Sequence, residues 1–183
     1  MYNETIVTAD EHENIQNDCG CDFNTAGNYP TLHDHAFFEV TYIFSKTLHH
    51  INGQDIWLAD NTLLITRPQD VHCFTDCHET IGQLNLKISC SYFRTLLNFF
   101  EKDFYDTVMN ADDSMRCIQM TSAYGRSVMD FLDKLFMQPS LSKKYVSCKF
   151  MLTKFVKIFY NHFYVENNVS QPDIVKNTIK ILQ

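Results

Sequence analysis

Three histidines and one glutamate are the residues best suited to act together: His33, His35, Glu39 and His72. The first three lie in the run HDHAFFEVTYIF and the fourth in LLITRPQDVHCF. In a β-strand, side chains two residues apart share a face. Read as one strand, 32–45 turns His33, His35, Phe37, Glu39, Thr41 and Ile43 one way, with Leu32, Asp34, Ala36, Phe38, Val40, Tyr42 and Phe44 opposite. Both faces carry apolar residues, so both are expected to be at least partly covered, and the polar atoms gather on the first. A buried, ionised Glu39 needs a partner, a proton or water. Imidazole nitrogens with a carboxylate form a ligand set suited to Zn, Fe, Mn or Ni. The same groups also suit a metal-free polar lining that hydrogen-bonds an organic molecule.

Short strands and turns are the elements expected to position these groups. Asn52-Gly53, between His49-His50-Ile51 and 54–58, is the strongest hairpin signal in the chain. A second turn is expected at Asp60-Asn61-Thr62, where Asn tolerates the left-handed conformation. The apolar run 62–66 ends near Pro68, which cannot donate to a ladder. Strands follow at 71–75 and at 81–89, where Gln83, Asn85 and Lys87 alternate with Leu84, Leu86 and Ile88. Many short strands with polar turns indicate a barrel or sandwich.

His33, His35, Phe37, Phe38 and Glu39, then Asn52, Gly53 and Ile56, then Ile65, Pro68, Asp70 and His72 together resemble the cupin barrel. More closely, they resemble the N-terminal sensor domain of AraC/XylS-type transcription regulators. The resemblance covers about the first half of the chain, and Asp60-Asn61-Thr62 replaces the family's usual P-G-D turn. It implies a mixed fold, β then α: a cupin-like (double-stranded β-helix) barrel followed by a helical dimerisation segment. The expected organisation is an N-terminal arm at 1–30, the barrel at 31–90 and the helical segment at 91–166. A linker at 167–183 is expected to lead toward a DNA-binding domain outside this chain. In metal-bearing cupins the positions matching His33, His35, Glu39 and His72 are the ligands.

The implied function is ligand sensing and dimerisation, with no enzymatic activity. A small-molecule effector, with carbohydrates the commonest class implied, would enter the barrel and control a C-terminal helix-turn-helix domain. The expected effector-binding set is His33, His35, Phe37, Glu39, Thr41, Trp57 and His72. Trp57 either fills the core or stacks on a sugar face. No cofactor is required, although a divalent metal would fit. The partners are the effector, a second copy of the chain through the post-barrel helices, and DNA only through the domain outside this chain. The rival reading is a metal-dependent cupin enzyme, an oxygenase or isomerase.

Beyond residue 90 the period becomes helical. Tyr92, Phe93, Leu96, Leu97, Phe99 and Phe100 mark one helix, with Ser89 or Ser91 placed to cap it. Residues 106–121 read as a loop, and 122–137 as a second helix ended by Pro139. The third and longest spans 142–165, with a seam of Tyr145, Cys148, Leu152, Phe155, Phe159 and His162. Its further apolar positions, among them Val146 and Phe150, suggest a face for a second subunit. A final helix is expected from Pro172, carrying Val175, Ile179 and Leu182.

Composition narrows the remaining choices. The 183 residues, with 15 Phe and 9 Tyr, suffice for a packed core. A net charge of -7 argues against direct DNA binding, which needs clustered Lys and Arg. No stretch approaches the roughly 20 apolar residues of a membrane span, and the N-terminus lacks a signal-peptide pattern. A cytoplasmic location and reduced thiols for the 7 cysteines are therefore expected. Of these thiols, Cys19-x-Cys21 and Cys73-x3-Cys77-His78 are more readily read as packing groups than as ligands. His49-His50 is expected mainly at the surface, since adjacent strand residues face opposite sides. Arg67 is expected to form a rim salt bridge or to meet an acidic effector.

Overall fold

The computed structural model describes residues 3–9, 18–24, 29–75, 82–138 and 140–166. Among the described residues nine strands precede the first helix: β1 (Asn3–Ala9), β2 (Cys19–Asn24), β3 (Tyr29–His35), β4 (Phe38–Ile43), β5 (Thr47–Ile51), β6 (Gln54–Leu58), β7 (Thr62–Thr66), β8 (His72–Thr75) and β9 (Gln83–Ile88). Then come α1 (Cys90–Phe100), α2 (Phe104–Asn110), β10 (Cys117–Gln119), α3 (Ser122–Phe136) and α4 (Leu141–Tyr160). Among the described residues the strands form two five-stranded sheets, ordered β1-β3-β8-β5-β6 and β10-β7-β4-β9-β2. Apart from the pairs β5–β6 and β9–β10, consecutive strands thus fall in different sheets, a jelly-roll arrangement of the cupin kind. Strands from 1–30 and from 91–166 also pair into these sheets, so the β-structure extends beyond 31–90 at both ends.

The expected single strand over 32–45 is two strands. The chain bends at Ala36-Phe37 and passes from the first sheet to the second. His33 and His35 therefore stand on one wall and Glu39 and Thr41 on the other, instead of in one row. This bend turns a linear motif into a chamber-like juxtaposition.

Alternation assigns the faces of the second sheet. Phe38, Val40, Tyr42, Leu63, Ile65, Leu84, Leu86 and Ile88 share a buried core with Phe93, Leu97, Phe104, Leu152, Phe155 and Phe159 of the helices. A smaller cluster of Ile43, Leu58, Leu64 and Phe74 joins the two sheets. Glu39, Thr41, Thr66 and Asn85, on the same parity as Ile43 and Leu64, therefore face the space between the sheets.

Local chemistry explains the turns. Asn52 and Gly53 both have positive φ, 49° and 77°, as a type I′ hairpin requires. Asn61 is also left-handed, at φ 62°, and its side chain accepts from Tyr42 Oη at 3.0 Å. Its carbonyl accepts from Met120 N at 2.8 Å, which ties the start of α3 to this turn.

Ser89 caps α1, its Oγ accepting from Tyr92 N at 3.4 Å. The expected loop at 106–121 instead contains most of α2, the turn Ser114–Arg116 and β10. Phe104, Tyr105 and Val108 supply the buried face that stabilises so short a helix. Cys148, Leu152, Phe155 and Phe159 of the α4 seam are buried, whereas Val146 and Phe150 are exposed. The helix expected from Pro172 lies outside the described residues. No helix among those described is long and apolar enough to cross a membrane.

Candidate functional site

Two strands of the first sheet bring the histidines together. β3 and β8 are antiparallel, with His33 opposite His72. One ring nitrogen from each of His33, His35 and His72 lies within 4.8 Å of the others. His72 is fully buried and His35 nearly so. Glu39 reaches in from the facing sheet, its Oε2 3.7 Å from His35 Nε2. The side chains expected to meet thus do meet, at the interface of the two sheets.

Backbone carbonyls fix two tautomers. His35 Nδ1 donates to Phe37 O at 2.7 Å, and His33 Nδ1 donates to Thr31 O at 3.0 Å. Both rings consequently carry their lone pair on Nε2. Phe37 stacks on His35, centroids 4.3 Å apart at 8°, and buries that ring. Burial is the leading cause of lowered histidine pKa values throughout. It takes His35 to about 4 and His49 to about 3, and holds His33 below its usual value and His72 well below. The four imidazoles are therefore neutral at pH 7, the form that offers a lone pair.

His49 belongs to this group, contrary to the expected surface position. β5 pairs with β8 so that His49 lies opposite Phe74, and it stacks on that ring at 4.4 Å. Its Nε2 is 3.2 Å from His72 Nδ1. Alternation in β5 meant that one of His49 and His50 must face inward. Which one depends on a register set by a strand more than twenty residues away, which local sequence does not specify. His50 takes the outer face yet is also buried, with Nδ1 2.6 Å from Asp55 Oδ1 and Nε2 2.8 Å from Thr75 Oγ1.

Trp57 does not join the site. Its side chain is 55% exposed, with Lys46 Nζ 4.6 Å above the ring. Ile56 and Leu58 take the inward positions of β6, and Trp57 between them must point outward. Arg67 is structural: it ion-pairs with Asp70 at 3.0 Å and donates through Nη1 to Met109 O at 2.7 Å.

Among the described residues, the interior carries several polar atoms without a hydrogen-bond partner. These are Nε2 of His35 and His72, Nδ1 of His49, Oγ1 of Thr41 and Thr66, and Oδ1 of Asn85. Each buried atom of this kind costs about 1–3 kcal/mol if left unsatisfied. Native chains seldom leave so many in one place without water, an ion or a ligand to meet them.

The set also fits a divalent transition cation. With the three nitrogens within 4.8 Å of one another, some point lies no more than about 2.8 Å from all of them. Closing to a bond of about 2.0–2.1 Å needs movements under an ångström. His33, His35 and His72 would hold the cation, with Glu39 within reach. A separate surface hollow of about 640 Å³ lies beside α3, lined in part by Phe44, Asn61, Ser122, Arg126 and Asp130, and none of the sequence-derived site residues borders it.

Among solved structures, the chain is similar to a cupin protein from Bacteroides fragilis, at 21% identity over 39% of this chain and 64% of that one, with a TM-score of 0.33. It is also similar to apo ToxT from Vibrio cholerae, at 12% identity over 89% of this chain and 62% of that one, with a TM-score of 0.44. The chain spans less than two thirds of the length of either. No protein-family model matches the chain, and no curated protein matches it.

Proposed function

We propose that this chain is the ligand-sensing and dimerisation domain of an AraC-type transcription regulator. A small molecule, with carbohydrates the commonest class that the family resemblance implies, binds between the two sheets. It thereby biases a helix-turn-helix domain of the longer protein. The observation that carries this reading is the set of unsatisfied polar atoms facing the barrel interior: His35, His49, His72, Thr41, Thr66 and Asn85. Hydroxyls and neutral imidazoles can donate or accept, and the Asn85 oxygen accepts, which matches a polyhydroxylated ligand.

Regulation requires different affinities for two states of the protein. The helical segment is tied to the barrel at Asn61 and through Arg67 and Arg116, so a ligand on the barrel walls has a physical route to it. Homodimerisation is assigned to the exposed face of α4 carrying Val146 and Phe150. The reading is tested by thermal-shift screening against sugars and organic acids, since a ligand specific for the folded state raises Tm.

The convergence of His33, His35 and His72 favours one alternative, a metal-dependent cupin enzyme. In that case the cation would polarise a bound oxygen or activate water, with Glu39 available as ligand or base. Stoichiometric metal in the purified protein together with turnover would favour the enzyme; metal without turnover is compatible with a sensor that binds its effector over a cation.

A further inference from the structure

We infer that His49 is a positioning residue that decides how His72 presents its inner edge. This rests on the metal-bearing form of the reading above. His33 and His35 each have a backbone carbonyl holding the proton on Nδ1. Among the described residues no such carbonyl meets His72; its Nδ1 faces His49 Nε2 at 3.2 Å. Only one proton can lie between two neutral rings.

If His72 supplies it, His72 Nε2 carries a lone pair and joins the Nε2 atoms of His33 and His35 as a third ligand. If His49 supplies it, His72 Nε2 becomes an N–H donor and the cation loses that ligand. His49 is therefore to His72 what Thr31 O and Phe37 O are to the other two rings, the outer partner that fixes tautomer and orientation. It differs in being reversible, because an imidazole can accept or donate whereas a carbonyl only accepts. The stack of His49 on Phe74, nearly parallel at 10°, holds the ring in place for this contact.

The His49–His72 contact sets the donor state of the ligand set from outside it. It also separates two kinds of ligand. A cation selects the state in which His49 accepts, and an organic oxygen acceptor selects the state in which His49 donates.

The test is Co²⁺ titration of the metal-free 183-residue chain, followed by visible absorption and by competition with a chelator. His49→Phe keeps a stacking ring but removes the acceptor; His49→Gln restores an acceptor. Affinity is expected to fall about 10–100-fold in His49→Phe, with an altered Co²⁺ spectrum, and to recover in large part in His49→Gln. Equal affinity and an unchanged spectrum in His49→Phe would overturn the positioning role while leaving the metal site intact. Failure of the unaltered chain to take up Co²⁺ would overturn both. Ring ¹⁵N NMR of the Zn²⁺-loaded unaltered protein decides the matter even if a variant does not fold. A proton on His72 Nδ1 is the expected result, and one on His49 Nε2 would overturn the assignment.

Discussion

Arg116 Nη1 donates to Asp70 Oδ2 at 2.8 Å from a side chain with no exposure to solvent. The same nitrogen donates to Ile65 O at 2.7 Å, and Nη2 pairs with Asp113. Asp70 is held from two further sides, by Arg67 and by Asn52 Nδ2 at 3.0 Å. Burial works against its charge, but Arg67, Arg116 and Asn52 together hold the carboxyl below the usual carboxylate range. One carboxylate thus joins the β5–β6 hairpin, the turn before His72 and the segment after α2.

Removing one partner of a buried ion pair costs about 3–5 kcal/mol when nothing else compensates the charge left behind. Arg67 and Asn52 still hold Asp70 once Arg116 is gone, so Arg116→Ala is expected to destabilise by less than that in urea denaturation. Asp70→Asn should cost less, because the amide oxygen still accepts. In the double variant the two losses should not add.

Stability should also fall with pH in a window set by the buried histidines. Their folded pKa values lie below the ordinary 6.5, with His35 at about 4 and His49 at about 3. The unfolded chain therefore binds more protons below pH 6.5, and each such histidine removes up to about 1.4 kcal/mol per pH unit until its folded pKa is reached. Loss of Tm between pH 6.5 and 4 is expected in metal-free protein, before Asp70 protonates. His49→Phe with His35→Phe should flatten that slope.

Much of this architecture was legible in the sequence, for local reasons. The Asn52-Gly53 turn, the left-handed Asn61, the Ser89 cap and the alternation of β4 and β9 depend on neighbours a few residues apart. What could not be read depends on distant partners. The Ala36-Phe37 crossover carries no Gly or Pro to mark it. His49 faces inward because of its register with β8. Arg116 lies in a stretch that reads as a charged loop, and it is buried only because Asp70, 46 residues earlier, waits for it. Trp57 differs for a local reason. Ile56 and Leu58 take the inward parity of β6, which leaves the aromatic between them on the outer face.

Trp57 is the chain's single tryptophan and lies on the outer face of β6. Its emission should be red-shifted, readily quenched by acrylamide and unchanged by a ligand between the sheets. Trp57→Phe should change stability by no more than about 1 kcal/mol, the scale of an exposed cation–π contact.

Val146 and Phe150 sit one turn apart on α4 and are exposed. On the proposed dimerisation, the unaltered chain is expected to sediment as a dimer and the double variant Val146→Glu, Phe150→Glu as a monomer at the same concentration, with its Tm at low concentration preserved. Identical sedimentation of the two proteins would contradict the role proposed for this face.

The most direct measurement is the Tm of the unaltered chain and of His72→Phe across sugars, organic acids and divalent cations. A ligand at about 100 times its Kd adds about 2.7 kcal/mol, or roughly 5–10 °C for a domain of this size. Such a rise in the unaltered chain, absent in His72→Phe, is the expected result. A compound that stabilises both proteins equally would place the binding site outside the barrel and contradict the role assigned to its interior.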